Sequence, residues 1–229
     1  MTIVIQGALD EELDVLAQRF KPAEVKTVAG FDFFIAPYKD NKIVLSKTGV
    51  GLINATASTT IAVNEFHPML IINQGCAGGH VEDVKIGDLI IAEKTVYINN
   101  FYTHKKGLGE GSDSLTWYPC KRSYAVDSTK KYVTAAEQIA YSGRKIVGTI
   151  GSGDIFSKEA DRIHYIHSLF GELSEDMESV AALKVCELFG IDRLALRVIS
   201  NNELTGDDFT YDVCKPLQRF VIDLIDKII

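Results

Sequence analysis

Long apolar runs are missing from this 229-residue chain. No stretch approaches the about eighteen residues that carry a helix across a bilayer, which argues against a helical membrane protein. A basic leader is missing as well. The amino terminus opens directly into Thr2-Ile3-Val4-Ile5-Gln6, which reads as a strand, so a cytoplasmic protein without a membrane partner is expected. Basic clusters are equally scarce. The 24 Lys and Arg are outnumbered by 31 Asp and Glu, for a net charge of −7, and this balance argues against a nucleic-acid partner and for a small neutral or cationic ligand. The four cysteines, Cys76, Cys120, Cys186 and Cys214, form no C-x-x-C pair and have no histidine at ligand spacing. Neither a zinc site nor a disulfide framework is indicated, and they read as reduced, mostly buried thiols. Walker, G-x-S-x-G and H-E-x-x-H motifs are absent too, which leaves metal-free acid–base chemistry with no cofactor.

What is present is enough apolar residue, 46%, for one sizeable core, so a single domain over 1–229 is expected. Strand-like and helix-like segments alternate, which predicts an α/β fold. Glu175, Asp176 and Glu178 head an apolar helix from Ser179 to Phe189 that Gly190 stops, and Leu194 to Ile199 follows as a buried strand interrupted by one charge, Arg197. In open α/β sheets ligands gather beyond the carboxyl ends of strands, where Ser200, Asn201 and Asn202 fall. Other strand ends reach glycine or polar turns near positions 7, 49, 75, 151 and 200. The run Gln74-Gly75-Cys76-Ala77-Gly78-Gly79-His80 reads as a loop shaped for close approach. Acids at 10–12 suit a helix start, yet Glu12 also lies one turn past a strand end, where it would face a ligand. Phe156, after Ser152-Gly153-Asp154, is placed either to stack on a flat ring or to plug the core.

Further along, Phe31–Ala36 and Lys42–Ser46 read as a hairpin across Pro37 and the polar Lys39-Asp40-Asn41, Ser128–Tyr141 as a helix, and the stretch after Asp207 as two helices divided by Pro216. Residues 99–123 show no periodicity. Their Tyr102, Trp117 and Tyr118 suit a pocket cap or, better, a subunit contact. His164 and His167 read as surface residues.

Taken in order, Gly7-Ala8-Leu9-Asp10-Glu11-Glu12, Gly75-Cys76-Ala77-Gly78-Gly79, Ser152-Gly153-Asp154-Ile155-Phe156, and Asp176-Met177-Glu178 leading to Arg197-Val198-Ile199-Ser200 span nearly the whole chain. In these pieces it resembles the bacterial 5′-methylthioadenosine/S-adenosylhomocysteine nucleosidases of the purine nucleoside phosphorylase superfamily. The resemblance implies a three-layer αβα sandwich around a mixed central sheet, a homodimer, no cofactor, and hydrolysis of the N-ribosidic bond of an adenine nucleoside. It also implies that Glu12 activates water, with Arg197 and Cys76 around it, and that Glu178 accepts hydrogen bonds from the ribose. Met177 would then pack under the sugar, Phe156 stack on the purine, and the Ser157 backbone read the base edge, with Leu9 and Val50 completing the substrate site.

Two positions depart from the family pattern. Serine is usual where Cys76 stands. An aspartic acid that protonates the purine is usual where Asn201 stands, and an amide donates a hydrogen bond without releasing its proton. Asn202, Glu203 and Asp207 are the neighbours able to compensate. Asparagine at this place accompanies 6-oxopurines in the wider superfamily, futalosine hydrolases included. An oxopurine nucleosidase for a futalosine- or inosine-like substrate is therefore the nearest alternative, ahead of a phosphorylase or a silent purine-binding protein.

Overall fold

The computed structural model describes residues 1–120 and 124–229. In chain order the elements are β1 (Thr2–Gly7), α1 (Asp14–Phe20), β2 (Glu24–Val28), β3 (Phe31–Tyr38), β4 (Asn41–Lys47), α2 (Leu52–Phe66), β5 (Leu70–Gly79), β6 (Leu89–Tyr97), β7 (Phe101–Tyr102), β8 (Tyr118–Pro119) and β9 (Ala125–Asp127). Then come α3 (Lys130–Glu137), β10 (Lys145–Ser152), α4 (Ala160–Phe170), β11 (Ser174–Asp176), α5 (Ser179–Phe189), β12 (Asp192–Asn201) and α6 (Cys214–Ile228).

One sheet runs β11-β10-β6-β12-β5-β1-β4-β3-β2, with β9 beside β6. It is mixed: β1, β4, β5 and β12 are mutually parallel where they pair, whereas β12 and β6 are antiparallel. β11 pairs with β5 as well as β10, so the sheet curls back on itself at that end. Period-two alternation decides the layers. Ile3, Ile5, Ile43, Leu45, Leu70 and Ile72 pack with side chains of α1, α3 and α6, while Val4, Val44 and Ile71 pack with α2 and α5 on the opposite face. The result is the expected three-layer αβα sandwich. Among the described residues no helix is long and apolar enough to cross a membrane.

The structure corrects several local expectations. The glycine run after Asn73 is no loop: β5 continues through it to Gly79, with Gly75 opposite Arg197 and Gly78 opposite Asn201 on β12. Glycine serves close packing there, since a Cβ at Gly79 would stand 2.8 Å from the Asn202 Nδ2. The β3–β4 hairpin turns at Lys39 and Asp40 as expected, while Pro37 belongs to β3, opposite Lys42, and not to the turn. The Ser128–Tyr141 helix shortens to Lys130–Glu137, and the carboxyl terminus holds one helix, α6, with Pro216 in its first turn. The aperiodic stretch forms a small β7–β8 ribbon in which Tyr102 and Tyr118 pack ring to ring at 5.5 Å; its last positions, 121–123, lie outside the described residues.

Candidate active site

At the carboxyl ends of β1, β5, β10, β11 and β12 lies a cleft of about 740 Å³ counting its open mouth. Leu9, Glu12, Val50, Cys76, Phe156, Ser157, Met177, Glu178 and Asn201 all line it. Arg197 does not.

Glu12 reaches the cleft because the chain leaves β1 through a single 3-10 turn, Asp10–Glu12, that buries Glu12 alone. Its Oε2 accepts from the Ala8 and Leu9 N–H groups at 2.6 and 3.3 Å, and its Oε1 from Cys76 N–H at 2.9 Å. The Gln74 amide fixes the Glu12 carbonyl at 2.7 Å. A carboxylate gripped this way holds one orientation and keeps acceptor capacity free. The grip needs Gly75, where a Cβ would sit 2.5 Å from Oε1.

The second carboxylate, Glu178, ends its path at the start of α5. Asp176 takes the capping task there, accepting from the Glu178 and Ser179 N–H groups at 3.3 Å each, so Glu178 is released to face the cleft, where Gly51 N–H donates to it at 2.9 Å. Burial, and next the Asp176 charge, push the Glu178 carboxyl up to about 7; the Glu12 charge adds to this, against the opposing pull of Arg197 and Gly51. Arg197 is buried beneath. It pairs with Asp176 at 2.7 Å, stands 3.8 Å from Glu178, and donates to the Asn73 side chain and carbonyl at 2.7 and 3.2 Å. Burial works against its charge, but Asp176, Glu178 and Glu12 outweigh that and raise its pKa overall. It orients the lining carboxylates Asp176 and Glu178 from below and does not itself line the cleft.

The far end of the cleft is a slot with Gly78 as its floor. Glu175 on β11 and Asn201 on β12 pair with Gly78 from either side, and both line the cleft. With adjacent strands about 4.8 Å apart, the two flanking backbones stand roughly 10 Å apart, and Gly78 between them raises no side chain into the cleft. Ser157 N–H and Oγ donate to the two Glu175 oxygens at 2.8 and 2.6 Å, so the Ser157 N–H expected to read the base is already engaged. His80 sits behind, its Nδ1 2.9 Å from Glu172 and its Nε2 3.6 Å from Glu175. Glu175 is shifted up by burial, against the pull of His80 and Ser157. Asn201 Oδ1 accepts from Ser200 Oγ at 3.0 Å, and its Nδ2 donates to Glu203 at 3.4 Å and stands 3.4 Å from where a Cβ at Gly78 would be. Phe156, half exposed, flanks the slot.

Of the three neighbours able to replace the missing acid, only Glu203 lines the cleft. The Asn202 amide is spent on the Val81 and Val84 carbonyls and Leu204 N–H, and Asp207 on the Thr205 hydroxyl. Glu175, His80, Phe209 and Tyr211 also line the cleft and were not anticipated. Glu175 reads in sequence as one more helix-head acid, and His80 as the residue ending a glycine run. Neither position carries a local signal of its partner.

Comparison with known proteins gives the family and the fold. The sequence profile of the phosphorylase superfamily matches residues 2–227. The 5′-methylthioadenosine/S-adenosylhomocysteine nucleosidase of Marinomonas sp. (strain MWYL1) is 34% identical over 197 residues, covering 85% of this chain and 83% of that protein. The chain belongs to this nucleosidase family. The nucleosidase of Bacillus pumilus (strain SAFR-032) aligns over all of the chain and 97% of its own length at 28% identity. Among solved structures, a Helicobacter pylori 5′-methylthioadenosine/S-adenosylhomocysteine nucleosidase superposes with a TM-score of 0.83 at 23% identity, covering 99% of this chain and 98% of its own. The futalosine hydrolase of Helicobacter pylori superposes with a TM-score of 0.84 at 24% identity, over 99% of this chain and 97% of its own. These structures share the family's fold.

Proposed function

We propose that this chain hydrolyses the N-ribosidic bond of a purine nucleoside, with 5′-methylthioadenosine and S-adenosylhomocysteine, the substrates named for its relatives, as first candidates and adenine as the released base. The observation that carries the reading is the meeting of Glu12 and Glu178, 166 positions apart in sequence, in one cleft. Bond cleavage builds positive charge on the ribose, and two buried carboxylates facing it stabilise that charge. Glu12, pinned by backbone, removes the proton from the attacking water, and Glu178 accepts from the ribose hydroxyls. Asp176 and Arg197 hold Glu178 in place. Phe156 stacks on the base and Asn201 Nδ2 hydrogen-bonds it, while Leu9, Val50 and Phe209 offer apolar surface to the 5′ substituent.

Water fits as the nucleophile. Among the described residues no Lys or Arg lines the cleft, so a phosphate lacks the cationic cradle it needs. The same reading takes the chain as a homodimer, supported by exposed Ile53 (80%) next to Val50 at the cleft edge.

One observation favours a second reading of the base. With Ser157 N–H bound to Glu175, the slot offers a carboxylate where adenine N1 needs a donor, and a 6-oxopurine presents N1–H there and an O6 for the Asn201 amide. Turnover of adenine and hypoxanthine nucleosides, followed by base release, separates the two readings. Glu12→Gln is expected to lose about 10²–10⁴-fold in kcat. Equal, negligible turnover by wild type and mutant, with purine binding intact in both, defeats the enzyme reading and leaves a binding protein.

A further inference from the structure

Cys76 and Cys214 are 138 positions apart, yet the start of α6 packs against β5 so that their sulfur atoms and a Glu12 carboxylate oxygen all lie within 4.8 Å of one another. We infer that Glu12, Cys76 and Cys214 form a binding site for a thiophilic divalent cation, zinc above all, whose occupation takes the Glu12 carboxylate away from water.

Five features carry it. The donor set is right in kind: two thiols and a carboxylate are zinc's preferred partners, and three protein ligands leave a fourth position for water. Spacing is close to that of a filled site. Ligand atoms on a tetrahedral zinc stand about 3.5–3.8 Å apart, so side-chain movements of about 1 Å or less close the cluster. Access is provided, because Cys76 is half-buried on the cleft wall while Cys214 is fully buried behind it. Each thiol gives its proton to solvent on binding, and the bound set of two thiolates, one carboxylate and one divalent ion carries a net charge of −1. That charge faces the positive end of α6, at whose first residue Cys214 stands, and the guanidinium of Arg197, which interacts electrostatically with both Cys76 and Glu12. Glu12 is able to ligate without surrendering its backbone grip, since Oε1 takes a single N–H, from Cys76, and keeps an acceptor site.

The inhibitory half of this inference rests on the reading of Glu12 as the base; the binding half does not. The experiment titrates metal-free full-length protein with cobalt and zinc chlorides. Wild type is expected to take up one ion per chain, to show a near-ultraviolet thiolate-to-cobalt charge-transfer band, and to lose nucleosidase turnover with zinc in a manner that a chelator reverses. Cys214→Ala and Cys214→Ser are expected to lose most of the band and to need more than about tenfold more zinc for the same inhibition, with metal-free turnover unchanged. Glu12→Gln, which has little turnover to lose, is expected to keep a weakened cobalt band, so binding is read even where the catalytic reading fails. Absence of the band in wild type overturns the site. So does equal zinc sensitivity in wild type and both Cys214 variants, or loss of the two thiols to a disulfide without metal uptake.

Discussion

Replacing Gly75 with alanine puts a methyl carbon 2.5 Å from Glu12 Oε1 and 2.9 Å from its Cδ. The backbone accepts the change, because Gly75 does not belong to the glycines with positive φ. The strain therefore falls on the carboxylate, which has to retreat by about 0.9 Å to reach an ordinary 3.4 Å contact. Retreat pulls Oε1 off the Cys76 N–H, now 2.9 Å away, and the Oε2 bonds to Ala8 and Leu9 resist any compensating swing. A catalytic group displaced by about 1 Å costs roughly 10²-fold in rate, or about 2.7 kcal/mol of barrier. Folding stability changes less: the lost charge-assisted hydrogen bond costs about 1.5–3 kcal/mol, and the smaller backbone entropy of alanine returns about 0.5–1. The measurement is kcat by base release, beside a denaturant titration and the affinity for free purine. Expected are a kcat near 1% of wild type, unchanged purine affinity and a stability loss of about 1–2 kcal/mol. A kcat within about threefold of wild type refutes the claim that the Glu12 position, set by its backbone grip, carries the chemistry.

Arg197→Met leaves Asp176 and Glu178 buried without their cation and is expected to destabilise the fold by about 3–5 kcal/mol in urea unfolding, far more than an exposed arginine would. Glu178 has to be ionised to receive the ribose hydroxyls, so kcat/KM is expected to fall as pH drops through about 7, and Glu178→Gln to abolish that limb of the profile along with most of the activity. The same shift has a stability consequence. Its folded pKa lies above the ordinary glutamate value of about 4.5, so the folded state holds the extra proton and the Glu178 contribution to stability is lost as pH rises from about 4.5 to about 7. Relative to wild type, Glu178→Gln is therefore expected to be more stable at pH 8 than at pH 4, as thermal unfolding at the two pH values will show.

Much of this molecule is legible along the chain. The alternation of Ile3, Val4 and Ile5, repeated at Ile43, Val44 and Leu45, already says that the sheet is covered on both faces, and Gly190, in the left-handed conformation at φ 69°, ends α5 where the apolar pattern stops. Glu12 and Glu178 stand out because each is an acid directly after a strand or before a helix, the places where an α/β sheet presents side chains to a ligand. The glycine run at 75–79 misled as a loop because low strand propensity was read locally, while the reason for those glycines, a carboxylate above one and an amide above another, comes from distant segments.

Sequence by itself thus determined the alternation of strands and helices, the end of α5 and the family motifs, since these depend on period, caps and neighbours a few residues away. Tertiary structure decided everything that depends on which strands lie side by side. The pairing of β11 and β12 with β5 sets Glu175 and Asn201 on either side of Gly78, buries Arg197 under Asp176, and diverts the Ser157 N–H to Glu175. The docking of α6 brings Cys214 to Cys76 and Glu12. Contacts of this kind join residues separated by up to two hundred positions, and no local pattern encodes them because the energy that selects them is the burial of the whole sheet between its helices.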